Sequence, residues 1–424
     1  MLYVNPHAVR ASYPADLQDI MSIARAQESR DWLAYWNGLA PGSTPLRTLP
    51  DLAASLGVRG VLVKDEALRS TLGSFKALGA PIALVRLLLR KFVGHGFTAE
   101  TLLSGEHRQA LEGFTAISAT DGNHGRALAA AAQSIGCRCV IVLHAQVSDE
   151  REQAIAAYGA EIVRIAGNYD ASVEEAAALA ASHGWSVVSD TSYHGYEIIP
   201  RDVMQGYATI AAEVDEALSG SDADAEGDAE ANVDVDARND DACPVTHVFL
   251  QGGVGGLAAG VASYFWERWG AQRPTFVVVE PEQADCLYQS ALAGQAASAR
   301  GSVDSVMAGL ACGETSPLAW RFLQPSVDAF MTVTDAQAIE AMQRLARGSE
   351  NDVPFVAGES GVAGLAGLMQ AAATPEMASA IGLTADSRVL LINTEGATAP
   401  SVYAALVGES AASVTQRQQA WRAR

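Results

Sequence analysis

The sequence predicts an α/β protein of open, twisted parallel sheets in two domains, and three observations lead there. Eight short β-rich runs, at 61–64, 115–119, 139–143, 161–165, 186–189, 247–250, 275–279 and 388–392, are separated by Ala-rich helical intervals such as 125–135, 150–158, 172–183 and 257–269. Intervals of that length suit the crossover helices that parallel strands require. Several of the runs hold uninterrupted apolar strings, as in FVVV and VLLI, so both faces of each sheet are expected to be covered. Finally, 424 residues exceed one typical core, which points to two lobes.

Composition narrows the function before any motif does. Hydrophobic residues make up 49%, yet no uninterrupted apolar run of about 18 residues occurs, so no membrane span is expected. Positions 1–22 carry His7, Arg10, Asp16 and Asp19 without an apolar centre, which argues against a leader or transit peptide and for the cytoplasm. A net charge of -21 opposes nucleic-acid binding, which depends on clustered Lys and Arg. Eleven of the acids fall between 215 and 241 against a single base, Arg238. Within that stretch, 219–241 has almost no large apolar side chain to offset its ordering entropy and reads as an acidic, disordered surface insertion. The five cysteines, Cys137, Cys139, Cys243, Cys286 and Cys312, include no CxxC pair, so no structural metal is expected. Only three of the 28 basic residues are lysines: Lys64, Lys76 and Lys91.

Four loops at strand ends carry the chemistry. After the strand at 247–250, Gly252, Gly253, Val254, Gly255 and Gly256 lead into a helix, a place where free amides and the helix dipole hold phosphate. Gly253, Gly255 and Ala258 also fit a GxGxxA dinucleotide fingerprint with Glu280 as its ribose acid, which keeps an NAD-dependent dehydrogenase open. Gly73-Ser74-Phe75-Lys76 opens the helical pattern 77–90. A chain that uses arginine almost everywhere else has kept a primary amine there, and only lysine forms a Schiff base. Thr120-Asp121-Gly122-Asn123-His124 follows the strand at 115–119, where open α/β sheets bind ligands, although Asp121 or Asn123 also suits a helix cap. Thr394 follows VLLI in the loop INTEG.

Taken together, TLGSFKALG, ATDGNHG, GGVGG, VVVEPE and INTEG resemble the fold-type II pyridoxal-phosphate enzymes over roughly 40–405. DGNHG, SDTSYHGYEIIPRDVMQGYATIAAE, ADCLYQS, MAGLACGE and AGESGVAGL resemble the diaminopropionate ammonia-lyase branch. The resemblance implies a large domain of 1–84 and 201–424 with a small inserted domain at 85–200, pyridoxal 5'-phosphate as cofactor, and a homodimer. It implies that Lys76 forms the imine with the cofactor, that Asn123 meets its 3-oxygen, that the five loop residues 252–256 hold its phosphate through their amides, and that the Thr394 hydroxyl faces its ring nitrogen. Glu280 then becomes a structural or edge residue, and a Cys286–Cys312 disulfide is an open question. The resemblance also implies Thr120, Asp121, His124 and Asp190 as substrate contacts and Lys76, Asp121 and Asp190 as the catalytic residues, with Asp190 either binding the second ammonium or positioning Asp121.

Relatives acting on hydroxyamino acids carry a small residue before the glycine of the 120–125 loop where this chain has Asp121, and a second acid, Asp190, ends the strand at 186–189; two anions in one pocket suit a substrate with a second ammonium. The expected reaction is α,β-elimination of 2,3-diaminopropionate to pyruvate and two ammonia. By resemblance, Lys76 removes the Cα proton of the L isomer and Asp121 that of the D isomer. A threonine or serine dehydratase of the same fold is the alternative.

Overall fold

The computed structural model describes residues 1–120, 122–145, 147–167, 169–220 and 243–424. Among these, the strands are β1 (Leu2–Val4), β2 (Leu46–Thr48), β3 (Gly60–Asp65), β4 (Thr115–Ala119), β5 (Arg138–Leu143), β6 (Glu161–Arg164), β7 (Ser186–Val187), β8 (His247–Gln251), β9 (Thr275–Pro281), β10 (Ala329–Val333) and β11 (Arg388–Asn393). They form a seven-stranded sheet in the order β1-β10-β9-β8-β11-β3-β2 and a four-stranded sheet in the order β6-β5-β4-β7. The inner pairings of both sheets are parallel. Each of the eight predicted runs contains a strand.

Three strands go beyond that expectation. β1 and β2 are three-residue edge strands, antiparallel to β10 and β3, so the large sheet is parallel only in its interior. Runs that short carry no periodicity, and short edges limit the unpaired ladder left open to other chains. β10, AFMTV, is an apolar string that sequence alone does not separate from a buried helical turn. In the other direction, the run at 186–189 yields strand only at Ser186–Val187, which leaves Asp190 in the following loop rather than at a strand end. Of the acidic stretch, Ser219 ends the helix Thr209–Ser219 and Gly220 caps it, while 221–241 lies outside the described residues.

Successive residues of the large sheet enter different cores, as continuous apolar runs require. Val248, Leu250, Phe276, Val278, Leu390 and Ile392 pack on one face against the helices Lys76–Lys91, Asn123–Ile135, Ile198–Tyr207 and Gly256–Trp269. Phe249, Val277, Val279, Val389 and Leu391 pack on the other against Asp335–Arg347 and Ala363–Ala373. The first core continues into Ala116, Cys139, Ile141 and Leu143 of the small sheet, and the opposite face of that sheet, with Ile117, Val140 and Val142, is covered by Ala176 and Ala180. The Lys76–Lys91 helix runs straight through position 84, so the two sheets share a helical layer.

A buried ion cluster fixes the exit of β3. Lys64 donates to the Thr44 carbonyl at 2.7 Å and to Glu213, while Arg69 grips both Glu213 oxygens at 2.7 Å and both Glu66 oxygens at 2.8 Å. All four charged side chains are buried, and two cations balance two anions. Burial alone raises the Glu213 carboxyl, but Arg69 and Lys64 bring it down to about 2. Cutting one member strands the others in a dry interior, which typically costs about 3–5 kcal/mol. Glu213→Ala is therefore expected to lower unfolding free energy by about that amount in urea titration, and a loss below about 1 kcal/mol, the range of an exposed pair, would show that the cluster does not hold this corner.

Candidate active site

The carboxyl ends of β3, β4, β8 and β11 open onto one cleft of about 490 Å3. Because β11 lies between β3 and β8, the lysine loop, the INTEG loop and the glycine loop are neighbours. The first two are stitched together: Phe75 N–H donates to the Thr394 carbonyl at 3.0 Å and Gly396 N–H to the Gly73 carbonyl at 2.9 Å. Gly73 accepts this turn with φ 71°, a left-handed value that costs other residues about 1–2 kcal/mol. Lys76 then starts its helix with its side chain in the cleft. Of the three lysines it alone lines that space; Lys64 is locked in the ion cluster and Lys91 bonds Ser186 at 2.8 Å.

Lys76 Nζ lies 2.5 Å from Asp190 Oδ2, a bond between the loop after β7 of the small sheet and a helix rooted in the large one. Burial works against both charges, yet each carries the other: Asp190 is held well below the usual carboxylate range by Lys76 and then His124, and Lys76 well above its ordinary value by Asp190 and then Tyr207. His124 is buried with Nε2 2.9 Å from the Val188 carbonyl, which turns Nδ1 toward Asp190 at 3.8 Å without a formed bond. Thr120, Asn123, His124 and Asp190 thus share the cleft with Lys76. Asp121 lies outside the described residues. The Asn123 side-chain amide donates to Glu395, whose other oxygen accepts from Ser360 N–H at 3.0 Å. Glu395 is a lining residue that sequence reasoning passed over, although it sits beside Thr394 in INTEG; Thr394 itself is buried and lines the cleft.

The glycine loop works with fewer amides than expected. Gly252 N–H is spent on the Val279 carbonyl at 2.9 Å and Gly255 N–H on the Gly252 carbonyl at 3.3 Å, because the loop must hold its own turn. The amides of Gly253 and Val254 make no hydrogen bond among the described residues, and with Gly256 at the start of a 14-residue helix they face the cleft. Gly255 does not line it; its φ of 100° makes the turn, with Leu323 Cδ1 only 2.8 Å from where a Cβ would stand. At Gly252 a Cβ would meet Glu280 Cγ at 2.4 Å. Glu280 accepts from the amides of Leu287 and Tyr288 at 2.9 and 2.7 Å, capping the helix Cys286–Ala293. Its burial pushes it up to about 8. Glu280 is thus structural, as the resemblance expects, and the dinucleotide reading loses its ribose acid. No disulfide joins Cys286 and Cys312; Cys286 Sγ instead points at the Gly253 carbonyl at 3.3 Å.

The lining fits a phosphate-bearing aldehyde with a ring nitrogen: an amine for the aldehyde, free amides at a helix start for the phosphate, and a buried hydroxyl for the ring. The family described as "Pyridoxal-phosphate dependent enzyme" matches residues 38–395. A diaminopropionate ammonia-lyase from Escherichia coli (strain K12) is 36% identical over 94% of each chain. The chain belongs to the pyridoxal-phosphate-dependent enzymes, among the diaminopropionate ammonia-lyases. Its cofactor is pyridoxal phosphate. A solved Escherichia coli diaminopropionate ammonia-lyase in complex with an aminoacrylate-PLP azomethine reaction intermediate superposes with a TM-score of 0.81, 35% identity and 96% of each chain covered. The same enzyme in complex with D-serine gives 0.83 at the same identity and coverage.

For a pyridoxal-phosphate enzyme the turn at Gly255 is a sensitive point. Ala at φ 100° is strained by about 1–3 kcal/mol, which in dissociation constant is about fivefold or more. Gly255→Ala is expected to weaken cofactor binding by at least that factor in equilibrium dialysis, and unchanged affinity would remove the loop from phosphate binding.

Proposed function

We propose that the chain converts 2,3-diaminopropionate and one water to pyruvate and two ammonia, with Lys76 as the cofactor lysine and Asp190 as the receptor for the substrate's second ammonium. The observation that carries this is the Lys76–Asp190 pair inside the cleft. When bound, pyridoxal phosphate supplies the electron sink that makes the substrate Cα proton acidic and lets the β-substituent leave. Committing the Lys76 nitrogen to the cofactor takes its cation away from Asp190, a carboxylate held ionised in a dry setting. An uncompensated buried anion is costly, and an ammonium on the substrate's β-carbon restores the pairing, whereas the hydroxyl of serine or threonine does not. The alternative dehydratase activity is disfavoured on this ground.

The remaining roles follow the same logic. Asn123, oriented by its bond to Glu395, and the amides of Gly253, Val254 and Gly256 hold the cofactor, while Thr120 and His124 line the substrate side. An uncharged Thr394 hydroxyl at the ring nitrogen gives weaker electron withdrawal than a carboxylate, which favours prompt elimination. Lys76, once released, accepts the Cα proton of the L isomer, and Asp121 that of the D isomer from the opposite face. The D-serine complex of the relative supports a site that admits D amino acids. The same reading makes the enzyme a cytoplasmic homodimer; among the described residues no helix is long and apolar enough to cross a membrane.

The test combines an absorbance scan with product assays on L- and D-2,3-diaminopropionate, L-serine and L-threonine. The expected result is a visible band, with pyruvate formed fastest from diaminopropionate. Faster turnover of serine or threonine would move the enzyme to the dehydratases. In Asp121→Asn, turnover of the D isomer is expected to fall by about 10²–10⁴, the usual contribution of a general base, with the L isomer retained; equal loss of both would refute the two-base scheme.

A further inference from the structure

Asp190 stands in a loop, and its carboxylate has to stay aimed when the Lys76 amine is committed to the cofactor. That carboxylate is bonded to Lys76; once the bond is given up, the aim falls to the backbone that carries it. β7 ends at Val187, so the residues leading into Asp190 leave the ladder and their polar groups need other partners. Val188 finds two, donating to the Ile117 carbonyl at 2.8 Å and accepting from His124 Nε2 at 2.9 Å. The Val187 carbonyl and the Ser189 amide share a third.

That partner is Tyr196, in the stretch SYHGYEI. After Asp190 the chain doubles back: Tyr193 N–H donates to the Tyr196 carbonyl at 3.3 Å and Tyr196 N–H to the Tyr193 carbonyl at 2.9 Å, around His194 and Gly195. Gly195 admits the turn with φ 80°. The two tyrosine rings stack, with centroids 4.8 Å apart and planes at 12°. The Tyr196 ring is thereby carried back to the end of β7, where its hydroxyl donates to the Val187 carbonyl at 3.0 Å and accepts from Ser189 N–H at 2.9 Å. Burial keeps this phenol well above its ordinary pKa, so it has the proton to donate. Ser192 holds the other side of Asp190: its N–H donates to Ser316 Oγ at 3.2 Å, and its hydroxyl accepts from Leu318 N–H at 2.9 Å in the first turn of the helix Pro317–Ser326. Asp190 is set between two anchors, one at the small sheet and one at that helix.

We infer that Tyr196 is a positioning residue for substrate choice: its hydroxyl, with Ser192 on the far side, keeps the Asp190 carboxylate aimed at the substrate's β-ammonium when Lys76 is no longer its partner. This deepens the reading of Asp190 as the ammonium receptor and rests on it. Tyr196 does not line the cleft, so its effect passes through Asp190. A carboxylate that drifts from its aim costs an ammonium most of its partner and a hydroxyl little, because an ion pair depends more steeply on placement in a dry site than a neutral contact does. Loss of the Tyr196 hydroxyl therefore alters preference between ligands and not only overall strength.

The experiment compares the holoenzyme with Tyr196→Phe, which keeps the ring and removes only the hydroxyl. Two quantities are read: kcat/KM for L-2,3-diaminopropionate, and the dissociation constant of D-serine from the change it makes in the visible band. Serine carries a hydroxyl where diaminopropionate carries its second ammonium, and the relative binds the D isomer. In Tyr196→Phe, kcat/KM is expected to fall about tenfold, the worth of two modest hydrogen bonds, while the D-serine constant stays within about twofold. An unchanged kcat/KM would overturn the inference. Equal weakening toward both ligands would do so as well, because a merely structural bond disturbs both alike. Should Tyr196→Phe fail to fold, Ser192→Ala loosens the other anchor and is held to the same two outcomes. Asp190→Asn keeps the failures apart: if it weakens D-serine as much as diaminopropionate, Asp190 is no ammonium receptor and Tyr196 has nothing to aim, whereas a selective loss there without one in Tyr196→Phe sinks the role of Tyr196 alone.

Discussion

The contact between Lys76 and Asp190 is the point on which the site depends. One partner starts a helix fed by β3 of the large sheet and the other follows β7 of the small sheet, so their 2.5 Å separation requires both sheets to be held at a fixed distance. The shared helical layer does that holding, with Ala-rich and Gly-containing faces that allow helices to approach closely. The ion cluster of Lys64, Glu66, Arg69 and Glu213 fixes the end of β3 from which the lysine loop departs. In energetic terms the cleft combines strong local charge with low dielectric, the setting in which a single carboxylate discriminates an ammonium from a hydroxyl.

Much of this was legible in the sequence, and the reasons are particular. The interior strands were readable because residues on both faces are buried, which leaves uninterrupted apolar strings such as FVVV before Glu280 and VLLI in front of Asn393. β1 and β2 were not, since three residues pairing at a sheet edge carry no pattern of their own. Lys76 stood out by scarcity in a chain with three lysines, and the structure places it in the cleft while Lys64 and Lys91 bond elsewhere.

What the sequence left ambiguous was the partition of roles among neighbouring polar groups. The glycine loop was visible, but which amides remain free after the loop has satisfied its own turn is a matter of geometry, and that is why Gly252 and Gly255 support the cradle while Gly253 and Val254 face the cleft. Glu280 matched a ribose acid by position alone; only its bonds to Leu287 and Tyr288 show that it caps a helix and buttresses Gly252. Glu395 and Tyr196 carried no signal in isolation, because a glutamate after a strand and a tyrosine in a polar loop are ordinary. Their significance comes from what they bond, Asn123 in one case and the backbone leading into Asp190 in the other.

The central claim is that one amine, that of Lys76, carries the cofactor. Reducing the holoenzyme with borohydride and mapping its peptides by mass spectrometry tests this directly, since reduction fixes the cofactor to the nitrogen that holds it. The account predicts the added mass on the peptide containing Lys76 alone. Label on Lys64 or Lys91, or none on Lys76, would contradict it.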